Sequence, residues 1–137
     1  MAMFEQFYVD NAALKDAFHA AASAGDKYLL VMEHTIGGDI MVTSAEYTRA
    51  VKNAGDIVPM LRQLNARLDL DDIHRVTAVY DLTRDFNRQA TTRDTTALPP
   101  QTLREIEQYK KSYDLARRQK EWDQKSFIEK IFVTRPF

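Results

Sequence analysis

Near the middle of the amino-terminal half the chain reads Lys27 to Ile36, KYLLVMEHTI, and then reverses at Gly37-Gly38-Asp39. The run is apolar and β-branched enough to be the best strand in the sequence. The glycine pair supplies the positive φ angles that a tight hairpin requires. Ile40 to Thr43 is expected to return as the second arm. A chain with such a hairpin must build a sheet around it.

The flanking segments suggest how. Phe4 to Val9 has the aromatic and β-branched content of a short strand. Asp10 or Asn11 can then cap a helix in which Leu14, Ala17, Phe18 and Ala21 share one face. Lys15, Asp16, His19 and Ser23 fall mainly away from that face, and Gly25 closes the helix. After the hairpin, Thr43 or Ser44 is placed to cap a helix over Ala45 to Ala54, ended by Gly55. Asp56 can open another from Ile57 to about Leu68. Pro59 is tolerated in its first turn, and Met60, Leu61, Leu64 and Leu68 form its apolar stripe. Arg75 to Leu82 alternates as a strand.

Strand, helix, strand, strand, helical region, strand is the split βαβ order known as ferredoxin-like. The expectation for residues 3–82 is therefore an α+β core: a four-stranded antiparallel sheet with both helical regions on one face. Residues 83–100 lose all periodicity and contain Thr-Arg-Asp twice, at Thr83 and Thr92. They are expected to form a long loop, mobile or functional. Gln101 to about Gln124 is the longest helix expected, with a narrow stripe of Leu103, Ile106, Tyr109 or Lys110, Tyr113 and Ala116. Ser126 to Val133 suits a helix or a strand equally. At 137 residues the whole, 1–137, fits one domain, with residues 101–137 as a carboxy-terminal helix and tail.

Composition narrows the function classes. The apolar fraction is 45% and the charged fraction 28%, which argues against disorder of the whole chain. There is no cysteine, which excludes disulfides, thiolate zinc sites and a cysteine nucleophile. The longest apolar run, Tyr28 to Met32, is far shorter than the roughly 20 residues of a membrane helix. Met1 to Asp10 lacks the features of a signal peptide. A cytoplasmic protein without a membrane partner is expected. The net charge is −1, but residues 1–60 carry −4 and residues 61–137 carry +3. A basic half could meet an acidic partner; a mixed solvated surface is the plainer explanation.

Catalytic and metal motifs are sparse. The histidines are His19, His34 and His74. Glu33 and His34 are neighbours, so in a strand they point to opposite faces. Asp71, Asp72 and His74 could converge in a loop and form a small enzyme site. Helix capping by the two carboxylates and a surface imidazole is the simpler account. There is no HExxH, GxSxG, GxGxxG or GxxxxGK[ST] pattern, and Gly37-Gly38 belong to a hairpin. No cofactor and no catalytic residue set is implied.

Two binding surfaces remain. Arg84, Arg88, Arg93, Arg104, Lys110, Lys111, Arg117, Arg118 and Lys120 could contact nucleic-acid phosphates. Lys110-Lys111 and Arg117-Arg118 share a helix face, but Glu107, Asp114 and Glu121 share the same phase and weaken the field. No RNP1 pattern is present, and only the first strand has paired aromatics, Phe4 and Tyr8. The second surface is the carboxy-terminal segment. Tyr109, Tyr113, Trp122, Phe127, Phe132 and Phe137 put six aromatics in the last 29 residues, interleaved with Arg117, Arg118 and other cations. Aromatic and arginine side chains dominate interface hot spots. The leading expectation is a non-enzymatic protein that binds another protein or itself through this segment. A homo-oligomeric adaptor is one form; a small phage-type accessory or inhibitor protein acting on host machinery is another. A nucleic-acid binder using residues 84–120 and a small Asp/His enzyme at residues 71–74 are the alternatives.

Overall fold

In chain order the elements are β1 (Met3–Phe7), α1 (Asn11–Ser23), β2 (Tyr28–Ile36), β3 (Met41–Val51), a 3-10 turn (Ala54–Asp56), α2 (Ile57–Asn65), β4 (Ile73–Asp81), α3 (Phe86–Gln89) and α4 (Pro100–Phe132). The computed structural model describes residues 3–37, 41–66, 72–89 and 94–132; the side chains of Met3, Arg117 and everything beyond Gln119 lie outside the described residues.

The first helix forms as its sequence dictates. The Asp10 carboxylate accepts from the Ala13 amide at 2.7 Å, satisfying one of the free donors of the first turn. At the other end Gly25 takes φ +81°. The Asp26 amide reaches Ala21 O and the Gly25 amide reaches Ala22 O, a Schellman closure. Leu14, Phe18 and Ala21 are the buried face.

The sheet order is β1-β3-β2-β4. β2 pairs antiparallel with both β3 and β4, while β1 pairs parallel with β3. The sheet is therefore mixed, and the antiparallel ferredoxin-like order does not hold. In that order the first strand would be central; here β1 is an edge. The helices also divide between the faces. Leu29 and Val31 of β2 join Leu14, Phe18 and Ala21 of α1 in one buried cluster. Tyr28, Leu30 and Met32 join Ile57, Met60 and Leu61 of α2 in another, flanked by Leu103, Ile106 and Tyr109 of α4. Alternate residues of one strand face opposite ways, so β2 is covered on both sides. That is why Tyr28 to Met32 is apolar at every position rather than at every second one.

β3 corrects the second expectation. It continues as a strand from Met41 to Val51, with no helix over Ala45 to Ala54 and no capping role for Thr43 or Ser44. Nine residues of β2, from Tyr28 opposite Val51 to Ile36 opposite Thr43, pair along it. The alanines favour a helix locally, but this ladder and the β-branched and aromatic residues Val42, Thr43, Tyr47, Thr48 and Val51 favour the sheet. Ser44 is buried within the strand, its hydroxyl 3.4 Å from that of Thr35.

Three boundaries also shift. α2 begins after a 3-10 turn, and Asp56 makes no side-chain cap bond. Leu68 and Asp71 lie outside the described residues, as do Gly38, Asp39 and Ile40 of the hairpin. Within 83–100 the described residues are partly packed: α3 buries Phe86, Leu98 is buried too, and Asp94 O accepts from the Val79 amide at 2.8 Å, while residues 90–93 lie outside the described residues. α4 extends to Phe132, so residues 126–132 are helical.

A β-bulge shapes the next step. Val31 sits opposite Ala78 but Met32 sits opposite Val76, so Thr77 is the extra residue of β4. The Thr77 hydroxyl donates to Val31 O at 3.2 Å. The shift changes which β4 residues share a face beyond that point, and it sets His74 directly across from His34.

Candidate functional site

A gathering of polar side chains lies on the α2/α4 face of the sheet, where His34, His74, Tyr47, Asn65, Tyr109 and Tyr113 meet. The imidazoles of His34 and His74 stack, with centroids 3.8 Å apart and planes 14° apart. The Tyr47 hydroxyl lies 2.6 Å from His74 Nδ1. Burial, then His34, then Arg49 hold His74 below the ordinary imidazole value. Burial raises Tyr47, against a smaller opposing effect of Arg49. Both shifts favour the uncharged forms of the two groups, which share one hydrogen bond whose donor is set by the His74 tautomer. His34 Nε2 is buried and has no hydrogen-bond partner among the described residues.

Asn65, at the end of α2, ties this pair to the helices. Its Oδ1 accepts from the His74 amide at 2.8 Å, and its Nδ2 donates to His74 O at 3.1 Å and to the Tyr109 hydroxyl at 2.8 Å. The side-chain amide acts as a one-residue extension of the sheet at the outer edge of β4. Tyr109 in turn donates to Leu61 O at 3.5 Å, and Tyr113 donates to Asp72 O at 3.2 Å. Sheet, α2 and α4 are thus joined through one polar seam.

Gln89 repeats the device further along β4. It accepts from the Asp81 amide at 2.7 Å and donates to Asp81 O at 2.9 Å. Together with the Asp94 contact to Val79, the outer edge of β4 is engaged at three points.

The other end of the opposite sheet face is also polar. Glu33 bonds Arg75 at 3.0 Å and receives Thr35 Oγ1 at 3.4 Å and Gln6 Nε2 at 3.5 Å. Glu33 and His34 do point to opposite faces. Half-exposed ion pairs of this kind contribute about 0–1 kcal/mol, so this cluster orders the surface more than it stabilises the fold.

One alternative from the sequence was that Asp71, Asp72 and His74 converge in a loop; Asp71 lies outside the described residues. The Asp72 carboxylate accepts from the Gly37 amide at 2.9 Å. His74 turns to His34 and Tyr47. Among the described residues no group of three His, Cys, Asp or Glu side chains can hold a metal ion. Tyr47 and Asn65 were missed by sequence reasoning, Tyr47 because its segment was assigned to a helix. Asn65 carried a signal: it falls four residues after Leu61, on the apolar stripe of α2, where a buried amide must find partners.

The candidate contact residues of the carboxy-terminal segment separate. Tyr109 and Tyr113 are half-buried and bonded to the protein's own backbone and side chains. Arg118 is exposed. Arg117, Trp122, Phe127 and Phe132 belong to α4, but their side chains lie outside the described residues, and so does Phe137. Of the candidate phosphate contacts, Arg84 pairs with Asp81 at 3.5 Å and Lys111 with Glu107 at 3.8 Å. Arg88, Arg104 and Lys110 are exposed; Arg93 and the Lys120 side chain lie outside the described residues.

An open groove between α2 and α4 is lined by Val58, Pro59, Arg62, Glu105, Gln108 and Ser112. No helix among the described residues is long and apolar enough to cross a membrane. Compared with known proteins, the chain matches no family model, no curated protein and no solved structure.

Proposed function

We propose that this protein acts by binding another protein, with the part of α4 beyond Tyr113 as the contact element. The observation that carries the reading is Leu115, a large apolar side chain 65% exposed on a helix that continues to Phe132. The docked part of α4 uses Thr102, Leu103, Ile106, Tyr109 and Tyr113. The side chains described after it, Asp114, Leu115, Ala116, Arg118 and Gln119, are all exposed. From Tyr113 to Phe132 the helix covers about 28 Å at its usual rise of about 1.5 Å per residue. A single amphipathic helix of that length is a common recognition element, laid into the groove of a partner. The seam supports the same division of labour, since Asn65, Tyr109 and Tyr113 use their polar groups in joining the sheet to the helices.

The test is a photo-crosslinking amino acid placed at Leu115 of the full chain, in the cells that make the protein, with Lys15 on α1 as the control position. A discrete crosslinked heteromer from position 115 and none from position 15 is the expected result. Equal or absent crosslinking at the two positions overturns the reading.

A further inference from the structure

The two edges of the sheet are finished differently. On β4, Asn65, Asp94 and Gln89 engage the outward backbone groups of His74, Val79 and Asp81. On β1, no backbone hydrogen bond to the outer edge is found among the described residues. This open edge also has exposed aromatics: Phe4 is 64%, Phe7 52% and Tyr8 65% exposed. An uncovered edge with exposed aromatic side chains is a template for another strand.

We propose that the outer edge of β1 pairs antiparallel with β1 of a second copy of this chain, joining two four-stranded sheets into one. The sequence of β1 is self-complementary about Gln6. With Gln6 on the two-fold axis facing its own copy, Phe4 lies opposite Tyr8 and Glu5 opposite Phe7, and the same pairs repeat on the other side of the axis. Directly opposed residues share a face. Phe4 and Gln6 share one by strand alternation, and Tyr8 joins them, since its hydroxyl donates to Gln6 Oε1 at 2.7 Å. The two Phe4–Tyr8 pairs are aromatic on aromatic, a favourable cross-strand combination. Slipping the register toward the amino terminus by one step of the pleat sets Glu5 against Glu5, like charge on like charge, which disfavours it. This pairing involves β1 alone and is independent of α4.

The chain has no cysteine, so a single introduced thiol reports contact without interference. In Gln6→Cys the two thiols face each other on the axis, at the roughly 4.5–5.5 Å Cβ spacing of opposed residues, and mild oxidation is expected to give a covalent dimer. Glu5→Cys and Lys15→Cys are expected to remain largely uncrosslinked. In the unmodified chain, sedimentation over a concentration series is expected to show a reversible monomer–dimer equilibrium. Gln6→Lys, which keeps a side chain able to reach Glu33, sets like charges opposite each other and is expected to weaken the dimer about tenfold or more. Circular dichroism identifies a variant that has lost its fold, in which case the cysteine series decides. A monomer at every concentration, or a dimer crosslinked equally well from position 15, overturns the proposal.

Discussion

His34 and His74 lie face to face, 3.8 Å between ring centroids, because the bulge at Thr77 brings their backbone positions into register across β2 and β4. Around them stand Tyr47 and Arg49 of β3, Asn65 of α2, Tyr109 and Tyr113 of α4, and Asp72 before β4. The Asp72 carboxylate is turned to the Gly37 amide. A second proton on this pair would set two cations ring against ring.

That arrangement predicts a pH dependence. His74 is held below its ordinary value, first by burial and then by His34 and Arg49. The unfolded chain takes up this proton near pH 6.5, roughly the free imidazole value, while the folded chain still resists it. The contribution to stability is complete above that pH and declines as pH falls toward the folded value. Melting temperature is expected to fall between about pH 7.5 and about pH 5, and His74→Gln to flatten the slope. A slope unchanged in His74→Gln would assign the dependence to other groups.

Asn65 satisfies three groups with one side chain. Asn65→Ala leaves the His74 amide and carbonyl and the Tyr109 hydroxyl without it and is expected to cost about 3 kcal/mol in urea unfolding. Tyr109→Phe removes one of those bonds and is expected to cost about 1 kcal/mol. A loss in Asn65→Ala no larger than in Tyr109→Phe would mean that the seam between β4 and α2 adds nothing.

Gly25 gives a cleaner backbone test. No atom lies within 4 Å of where its Cβ would stand, yet its φ is +81°. Gly25→Ala is therefore expected to destabilise by about 1 kcal/mol through the left-handed conformation alone. Gly25→Asn is expected to lose less, since asparagine tolerates that region better. Equal losses in the two variants would point to packing instead.

The sequence revealed what was encoded locally. Asp10, the Leu14–Phe18–Ala21 face and Gly25 define α1 within one stretch of chain, and α1 forms there. The continuous apolar run of β2 was visible, and its full meaning, burial on both faces, was within reach of the same observation. β3 was not legible, because Ala45 to Ala54 looks helical until β2 is laid beside it. The direction of β1 was equally hidden, since parallel and antiparallel partners leave the same trace in five residues. The His34–Tyr47–His74–Asn65 seam depends on a one-residue bulge and on three elements meeting, and no spacing in the chain announces that.

The 83–100 segment shows how a few residues outweigh a polar composition. Phe86 packs on Phe18 and Tyr80, with ring centroids 5.2 and 5.9 Å away. Phe86→Ala is expected to cost about 3–5 kcal/mol, the range for a buried phenylalanine. Its exposed neighbour is expected to tolerate Asn87→Ala within about 0.5 kcal/mol. Thermal unfolding that fails to separate the two would return this segment to the status of a surface loop.

Ile106 and Leu115 mark the packed and the exposed side of α4. They are nine residues apart, about two and a half turns, and so lie on opposite sides of the helix. Ile106 packs against the cluster formed by β2 and α2, whereas Leu115 is exposed. Ile106→Asp places a charge against that cluster and is expected to cost about 3 kcal/mol or more. Leu115→Asp is expected to change stability by no more than about 0.5 kcal/mol while abolishing the contact assigned to this face. Unfolding by urea measures the first effect, and crosslinking from Arg118 in the Leu115→Asp background measures the second. A Leu115→Asp protein that is destabilised as much as Ile106→Asp would place Leu115 in the protein's own packing and remove it from any interface.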